Sequence, residues 1–237
     1  MFELNARGWG TRDKVLDIVM PSADGVMVLT NHQKIEAETT YKLKRPAQVV
    51  GFAIDDEFFK PGAQGSGHYI MSVGDDAGRD WATLAQACVG LPVDLRIRTS
   101  LNVPNPANLA ISVLDRMSYL DLRDLYAQAS FVVLPLRELS SPTGITSVLE
   151  AMAMGKAVIA SNVGTTRDII VDDVNGILVP PNDPVALRAA IVRLMHDPEL
   201  RQRLGTAARS TIVTAFSCAS HLRRYAHAVR SFVTETA

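Results

Sequence analysis

Short apolar, β-branched runs alternate with longer stretches in which apolar residues return every three or four positions. Residues 26–30, 49–54, 69–74, 93–98, 112–117, 131–136, 157–161 and 177–179 read as strands. Several of these are apolar on both faces, as central parallel strands are when helices cover both sides. Helical spacing fills 80–89, 121–129, 145–154, 184–195 and 198–211. The alternation predicts an α/β domain with a parallel sheet. Right-handed crossovers then give a doubly wound, Rossmann-like layout.

Two places break the rhythm. Residues 55–67, DDEFFKPGAQGSG, are rich in glycine and charge and separate a front segment from the main α/β unit. The front segment holds one strand and two helices, too little to close a sheet of its own. The tail, 218–236, is a long amphipathic pattern for which Ser217 serves as N-cap. The expected domains are therefore 1–48 as front segment, 49–67 as linker, 68–215 as main unit and 216–237 as terminal helix.

Composition narrows the class. The chain has 237 residues, 47% of them hydrophobic, which is ample for a sizeable core. Lys plus Arg is 24 against 25 Asp plus Glu, so no bulk positive field supports a dedicated nucleic-acid binder. Cys88 and Cys218 lie far apart and form no zinc spacing, which suits a reducing compartment. No run reaches the ~18 apolar residues of a spanning helix. There is no G-x-G-x-x-G, no P-loop and no G-x-S-x-G elbow, which disfavours a nicotinamide enzyme, a P-loop nucleotidase and a serine hydrolase.

The chemistry concentrates in 131–181. A buried strand is followed by the polar loop Ser140-Ser141-Pro142-Thr143 and by a helix starting near Gly144. The loop offers hydroxyl caps, and Gly144 lets a ligand approach the backbone. The first-turn amides of that helix lack intrahelical partners at the positive end of its dipole, so a phosphate is bound there without a metal. Ile145, Val148, Leu149 and Met152 form an apolar stripe. Thr143, Thr146 or Ser147, and Glu150 form a polar one. A carboxylate at 150 can accept two hydrogen bonds from a vicinal diol such as a ribose, or it is a solvated surface residue.

The run Leu149-Glu150-Ala151-Met152-Ala153-Met154-Gly155-Lys156, then Val158-Ile159, Asn175-Gly176 and Pro180, resembles the donor domain of family-four (group 1) retaining glycosyltransferases of GT-B fold. The resemblance covers roughly 48–220. It implies that Glu150 holds the ribose of a nucleotide sugar, and that Tyr69 to Gly74 is the first donor-domain strand with its glycine turn. Arg79 then falls where the family carries a basic residue for the diphosphate. Arg can grip two diphosphate oxygens and neutralise leaving-group charge. The alternative is a surface pair with Asp75, Asp76 or Asp80. The implied set is Arg79 and Glu150 as catalytic residues, with Gly74, Thr143, Gly144, Ile145 and Thr146 also binding donor. No cofactor and no metal are implied; the nucleotide-diphosphate sugar is itself the substrate. Asp75-Asp76 and Asp172-Asp173 read as solvated turns rather than metal ligands.

The sequence also departs from the family pattern. The family's first glutamate would fall at Pro142, and Glu138 is too far back to replace it without a loop shift. The glycine turn after the strand ending near Arg98 reads Arg96-Ile97-Arg98-Thr99-Ser100. Arg98 adds charge at the pocket or is a strand-end surface residue. The front segment resembles only the end of a GT-B acceptor domain, so it implies a missing N-terminal domain or a homodimer and exposed apolar surface. His32 matches no catalytic position. Three functions follow: the donor half of a glycosyltransferase, a nucleotide-sugar binding module without transfer activity, or a sugar-nucleotide epimerase of related fold. The resemblance implies a cytoplasmic protein acting on a glycan or lipid-linked acceptor, placed peripherally at the inner membrane face in the latter case. Arg209, Arg223, Arg224 and Arg230 are too scattered for a lipid anchor and read as a solvated face.

Overall fold

The computed structural model describes residues 11–62, 67–105, 107–139 and 143–234. In chain order the elements are α1 (Thr11–Ser22), β1 (Met27–Val28), α2 (Asn31–Thr40), β2 (Gln48–Val49), β3 (Tyr69–Val73), α3 (Trp81–Cys88), β4 (Leu95–Arg98) and β5 (Ile111–Leu114). They continue with α4 (Tyr119–Gln128), β6 (Ala129–Leu134), α5 (Ile145–Ala153), β7 (Val158–Ser161), α6 (Gly164–Arg167), β8 (Ile177–Val179), α7 (Pro184–His196), α8 (Pro198–Thr211) and α9 (Cys218–Thr234). The chain divides into two compact units, 54–214 and 1–53 with 215–237.

The larger unit is the expected parallel α/β sheet. Its strand order is β5-β4-β3-β6-β7-β8, and every neighbouring pair is parallel. Strands β3 and β7 are buried at every residue, which explains their unbroken apolar runs. Edge strand β5 is partly open to solvent, with Ser112 and Val113 exposed. One core cluster joins Ile70, Leu95, Ile97, Phe131, Val133 and Ile159 of the sheet to Leu84, Leu187, Leu194 and Leu204 of α3, α7 and α8. Local chemistry starts the helices. Asp183 and Asp197 cap α7 and α8 with their carboxylates, each followed by a proline at the first helical position. The Lys156 ammonium, half-buried, donates to the carbonyls of Ala127 (2.7 Å) and Ala129 (2.9 Å) and so ties the end of α4 to the turn after α5.

The strand order reverses between β3 and β6: β4 and β5 lie to one side, β7 and β8 to the other. In open α/β sheets the carboxyl ends of the strands flanking such a reversal form the ligand crevice. Two bonds join the two segments leaving this crevice. Asp80 N donates to Pro135 O at 3.0 Å and Arg137 N donates to Gly78 O at 2.8 Å, which makes Arg79 and Leu136 an antiparallel bridge.

The smaller unit pairs β1 with β2 in parallel, Met27 opposite Gln48 and Val28 opposite Val49. The second of these strands belongs to the front segment, although its sequence reads as part of the linker. Arg224 of α9 donates to the carbonyls of Val50 (2.9 Å), Phe52 (3.3 Å) and Ala215 (2.5 Å). Arg45 donates to the carbonyls of Ser231 (3.0 Å) and Phe232 (3.2 Å). Ser217 Oγ accepts from Ser220 N at 3.2 Å, the capping role its position suggests. Leu222, Tyr225, Val229 and Val233 leave an apolar stripe of α9 exposed, as do Val15, Ile18 and Val19 on α1.

Several sequence expectations need correction. The stretch expected as a free linker is divided, and its second half packs in the larger unit. Phe59 is buried there, meets Tyr126 edge-on at 6.3 Å, and accepts Arg209 Nη1 on its carbonyl at 3.0 Å. Arg209 and Arg224 are therefore not a solvated face: both guanidinium groups are spent on backbone carbonyls. A π-helical turn, Ile212–Phe216, lies between α8 and α9, and the short α6 lies between β7 and β8; neither has a helical apolar period long enough to see. No described helix is long and apolar enough to cross a membrane.

Candidate functional site

The crevice at the β3–β6 reversal is built around the start of α5. Gly144, the N-cap, has φ +76°, a left-handed conformation favourable only to glycine, and no side chain caps the helix. The amides of Ile145, Thr146 and Ser147 open the first turn, where the helix dipole favours an anion. Every α5 residue except Thr146 is buried, so its two other polar side chains, Ser147 and Glu150, face protein. That resolves the polar stripe in favour of Ser147 over Thr146.

Arg79 reaches this turn from the loop after β3. Its side chain is only 3% exposed. Nε donates to Asp76 Oδ2 at 2.9 Å, and Nη2 donates to Ser147 Oγ at 3.0 Å, while the buried Nη1 has no partner among the described residues. A guanidinium taken out of water normally fills all its donor positions. The surface pair with an aspartate is thus half correct: Asp76 is the partner, but the arginine is interior. Gly74, at φ +146°, makes room for it, since a Cβ there would fall 2.0 Å from Arg79 Nε.

Glu150 is 5% exposed and is not a solvated surface residue. Its Oε2 accepts from the hydroxyl of Tyr126, fully buried on α4, at 2.9 Å. Burial pushes the Glu150 carboxyl up to about 7; the Tyr126 bond and the charges of Arg79 and Arg98 pull the other way. Burial, then the neighbouring Glu150 charge, holds the Tyr126 phenol well above its usual range, so it remains a donor. Arg98 lies against the same cluster. Its Nη1 pairs with Asp75, and its Nε is buried without a partner among the described residues. Burial raises the Asp75 carboxyl, but bonds from Ser100 and the Arg98 charge outweigh this and leave it below its usual value.

The raised Glu150 carboxyl has a consequence for stability. The folded protein keeps a proton that the unfolded chain releases between its ordinary 4.5 and about 7. More protons are bound in the folded state there, so this group's contribution to stability falls as pH rises through that window. Glu150→Gln should remove that fall, seen as urea midpoints that differ less between pH 5 and pH 8 than those of the parent.

Residues 107–211 match the family described as glycosyl transferases group 1. That match spans somewhat under half of the chain. Over 95 residues it is 38% identical to an uncharacterised glycosyltransferase of Methanocaldococcus jannaschii, covering 40% of this chain and 26% of that protein. Over 89 residues it is 38% identical to the D-inositol 3-phosphate glycosyltransferase of Xylanimonas cellulosilytica, covering 38% of this chain and 21% of that one. The chain thus matches only about a quarter of the length of these curated relatives. Among solved structures, Anabaena HepE in complex with UDP superimposes with a TM-score of 0.81 at 15% identity, covering 95% of this chain and 69% of HepE. At that identity the likeness shows the fold, a parallel GT-B-type sheet.

The expected site residues divide into those brought together and those explained otherwise. Arg79, Ser147, Glu150 and Tyr126 form one buried cluster, and Thr143 adjoins it, its Oγ1 resting where a Gly78 side chain would go. Ile145 buries its side chain and Thr146 exposes its own, so each has only a backbone amide to offer the turn. Gly144 and Gly74 do not leave open space for a ligand on their Cβ sides. Leu136 fills the first, 2.7 Å from a built Cβ, and Arg79 fills the second.

Of the acidic pairs, Asp172 and Asp173 are exposed in a turn, as expected, while Asp75 and Asp76 are half-buried. Asp75 and Asp76 hold arginines and loop amides; Asp172 accepts from Leu178 N at 2.8 Å, and Asp173 pairs with Arg193 at 2.6 Å. Ser140, Ser141 and Pro142, with their hydroxyl caps and the substituted glutamate, lie outside the described residues. Glu138 does not reach α5; its Oε1 accepts from Gly164 N at 3.0 Å. Sequence reasoning missed Tyr126 and left Ser147 as an alternative to Thr146. Tyr126 follows Leu122 by four residues, and that spacing reads only as helix core.

Proposed function

We propose that residues 54–214 bind a nucleoside diphosphate sugar and supply the donor half of a retaining glycosyl transfer to an acceptor hydroxyl. The observation that carries this reading is the buried Arg79 guanidinium, fastened to the first turn of α5 and with one donor unpartnered among the described residues. A diphosphate at that turn would meet aligned amides and a desolvated positive charge together. Glu150, one turn further along, would accept hydrogen bonds from the ribose diol when ionised. HepE, of the same fold, is found in complex with UDP, which supports a nucleotide as the ligand.

In the proposed reaction the bond from sugar C1 to the distal phosphate oxygen breaks. The acceptor oxygen bonds to C1 from the same face, and its proton passes to the departing phosphate. Arg79 and the α5 amides stabilise the charge that develops on the leaving group, a task that asks for no metal and no cofactor. The acceptor is a glycan or a lipid-linked sugar, and the reaction is cytoplasmic, at the inner membrane face in the second case.

Calorimetric titration with uridine and guanosine diphosphates, and with their nucleosides, tests the donor site. Glu150→Gln should weaken nucleoside and diphosphate binding alike, by about 1–2 kcal/mol at pH 8. Equal affinities for parent and variant would remove Glu150 from the site. A labelled nucleotide-sugar panel, incubated with and without a supplied acceptor domain, then tests transfer. Sugar release or transfer only with that domain present is the expected outcome.

A further inference from the structure

We infer that Tyr126 is a positioning residue for Glu150: its hydroxyl holds one carboxylate oxygen, favours the charged acid and leaves the other oxygen for a diol. This rests on the reading of Glu150 given above. The geometry carries it. Tyr126 is completely buried, and its ring is set edge-on against Phe59 at 86°. The hydroxyl donates to Glu150 Oε2 at 2.9 Å; the other acceptor near it, Ser147 O, is 3.5 Å away, too far for a good bond. A phenylalanine would fill the same space and pack on Phe59 equally well. The hydroxyl is therefore not needed for volume; it meets a polar group on a different helix, 24 residues along the chain.

Protonation would turn Glu150 from an acceptor on both oxygens into a donor on one, and an acid that donates cannot clasp both hydroxyls of a diol. The groups that favour its charged form are few. Tyr126 faces it from α4, Arg79 from the loop after β3 and Arg98 from the end of β4. Strands β6 and β7 contribute no ionisable side chain. On α8, Arg209 is turned to the carbonyls of Phe59 and Ala153, and on α6, Arg167 pairs with Glu138. Removing the Tyr126 hydroxyl deletes one of three influences that hold the carboxylate, and it leaves the other two and the packing in place.

The test is calorimetric titration of the full chain with uridine diphosphate, and guanosine diphosphate in parallel, from pH 6 to pH 9. Parent, Tyr126→Phe and Glu150→Gln are compared, with urea midpoints as the folding control. Parent affinity should rise through about pH 7, where Glu150 ionises, and then level off. Tyr126→Phe should shift that rise to higher pH, so that binding is roughly three- to tenfold weaker at pH 7 and recovers by pH 9. Glu150→Gln should be weak and flat. A Tyr126→Phe profile that overlays the parent, or that drops equally at every pH, overturns the inference. If Glu150→Gln binds as tightly as the parent throughout, or if neither diphosphate binds the parent, the diol reading itself has failed. If Glu150→Gln is weak while Tyr126→Phe is unshifted, only the role of Tyr126 has failed.

Discussion

Measured at pH 9, where Glu150 is ionised without its help, Arg79→Ala is expected to cut nucleoside diphosphate affinity by about 2–3 kcal/mol and to leave nucleoside affinity almost unchanged. The difference arises because Arg79 sits at the first turn of α5, where phosphate would bind, and not beside the diol acceptor's free oxygen. The loss should be large because the guanidinium is already desolvated and already oriented by Asp76 and Ser147. Little of the interaction is then spent on ordering the side chain. Folding stability should change less than binding, since Asp76 is 38% exposed and water can take over its bond. Arg79→Lys should recover only part of the affinity. An ammonium is a single point and cannot bridge Asp76, Ser147 and a phosphate oxygen together. Calorimetry with paired diphosphate and nucleoside ligands gives the answer; equal losses for both would place Arg79 away from the phosphates.

Gly74→Ala should be more damaging still, although residue 74 need touch no ligand. A methyl group there would lie 2.0 Å from Arg79 Nε and 2.2 Å from Cζ, at a φ of +146° that side-chain-bearing residues rarely adopt. The backbone strain alone costs about 1–3 kcal/mol of folding stability, and the guanidinium must leave its site as well. The variant should therefore combine a lowered urea midpoint with the diphosphate-selective binding loss of Arg79→Ala. The double variant decides whether the two losses are one. If Gly74 acts through Arg79, Gly74→Ala adds no further loss of binding once Arg79 is alanine. Losses that sum in the double variant would mean that Gly74 meets the ligand by another route.

Much of the architecture is legible in the residues because local chemistry and burial agree. The run at 69–73 is apolar on both faces and becomes a strand buried at every position. Asp183-Pro184 and Asp197-Pro198 announce helix starts that occur where they read. Agreement weakens where an element depends on partners elsewhere. The strand read at 49–54 shrinks to Gln48–Val49, because only those two residues lie opposite β1. The four residues of α6 form a helix too short to show one.

The residue order alone determined the alternation of strands and helices, the glycine-opened helix after β6, and the candidates Arg79 and Glu150, because each depends on side-chain type and short spacing. The tertiary structure decided what those candidates can do. Tyr126 and Glu150 are 24 positions apart, and Arg79 and Ser147 are 68 apart, so only the folded sheet brings either pair within hydrogen-bond distance. Burial decided the rest. Water excluded by segments far along the chain lifts the Glu150 carboxyl toward neutrality and leaves a donor of Arg79 without a partner among the described residues, and no local pattern encodes how much water a distant segment will displace.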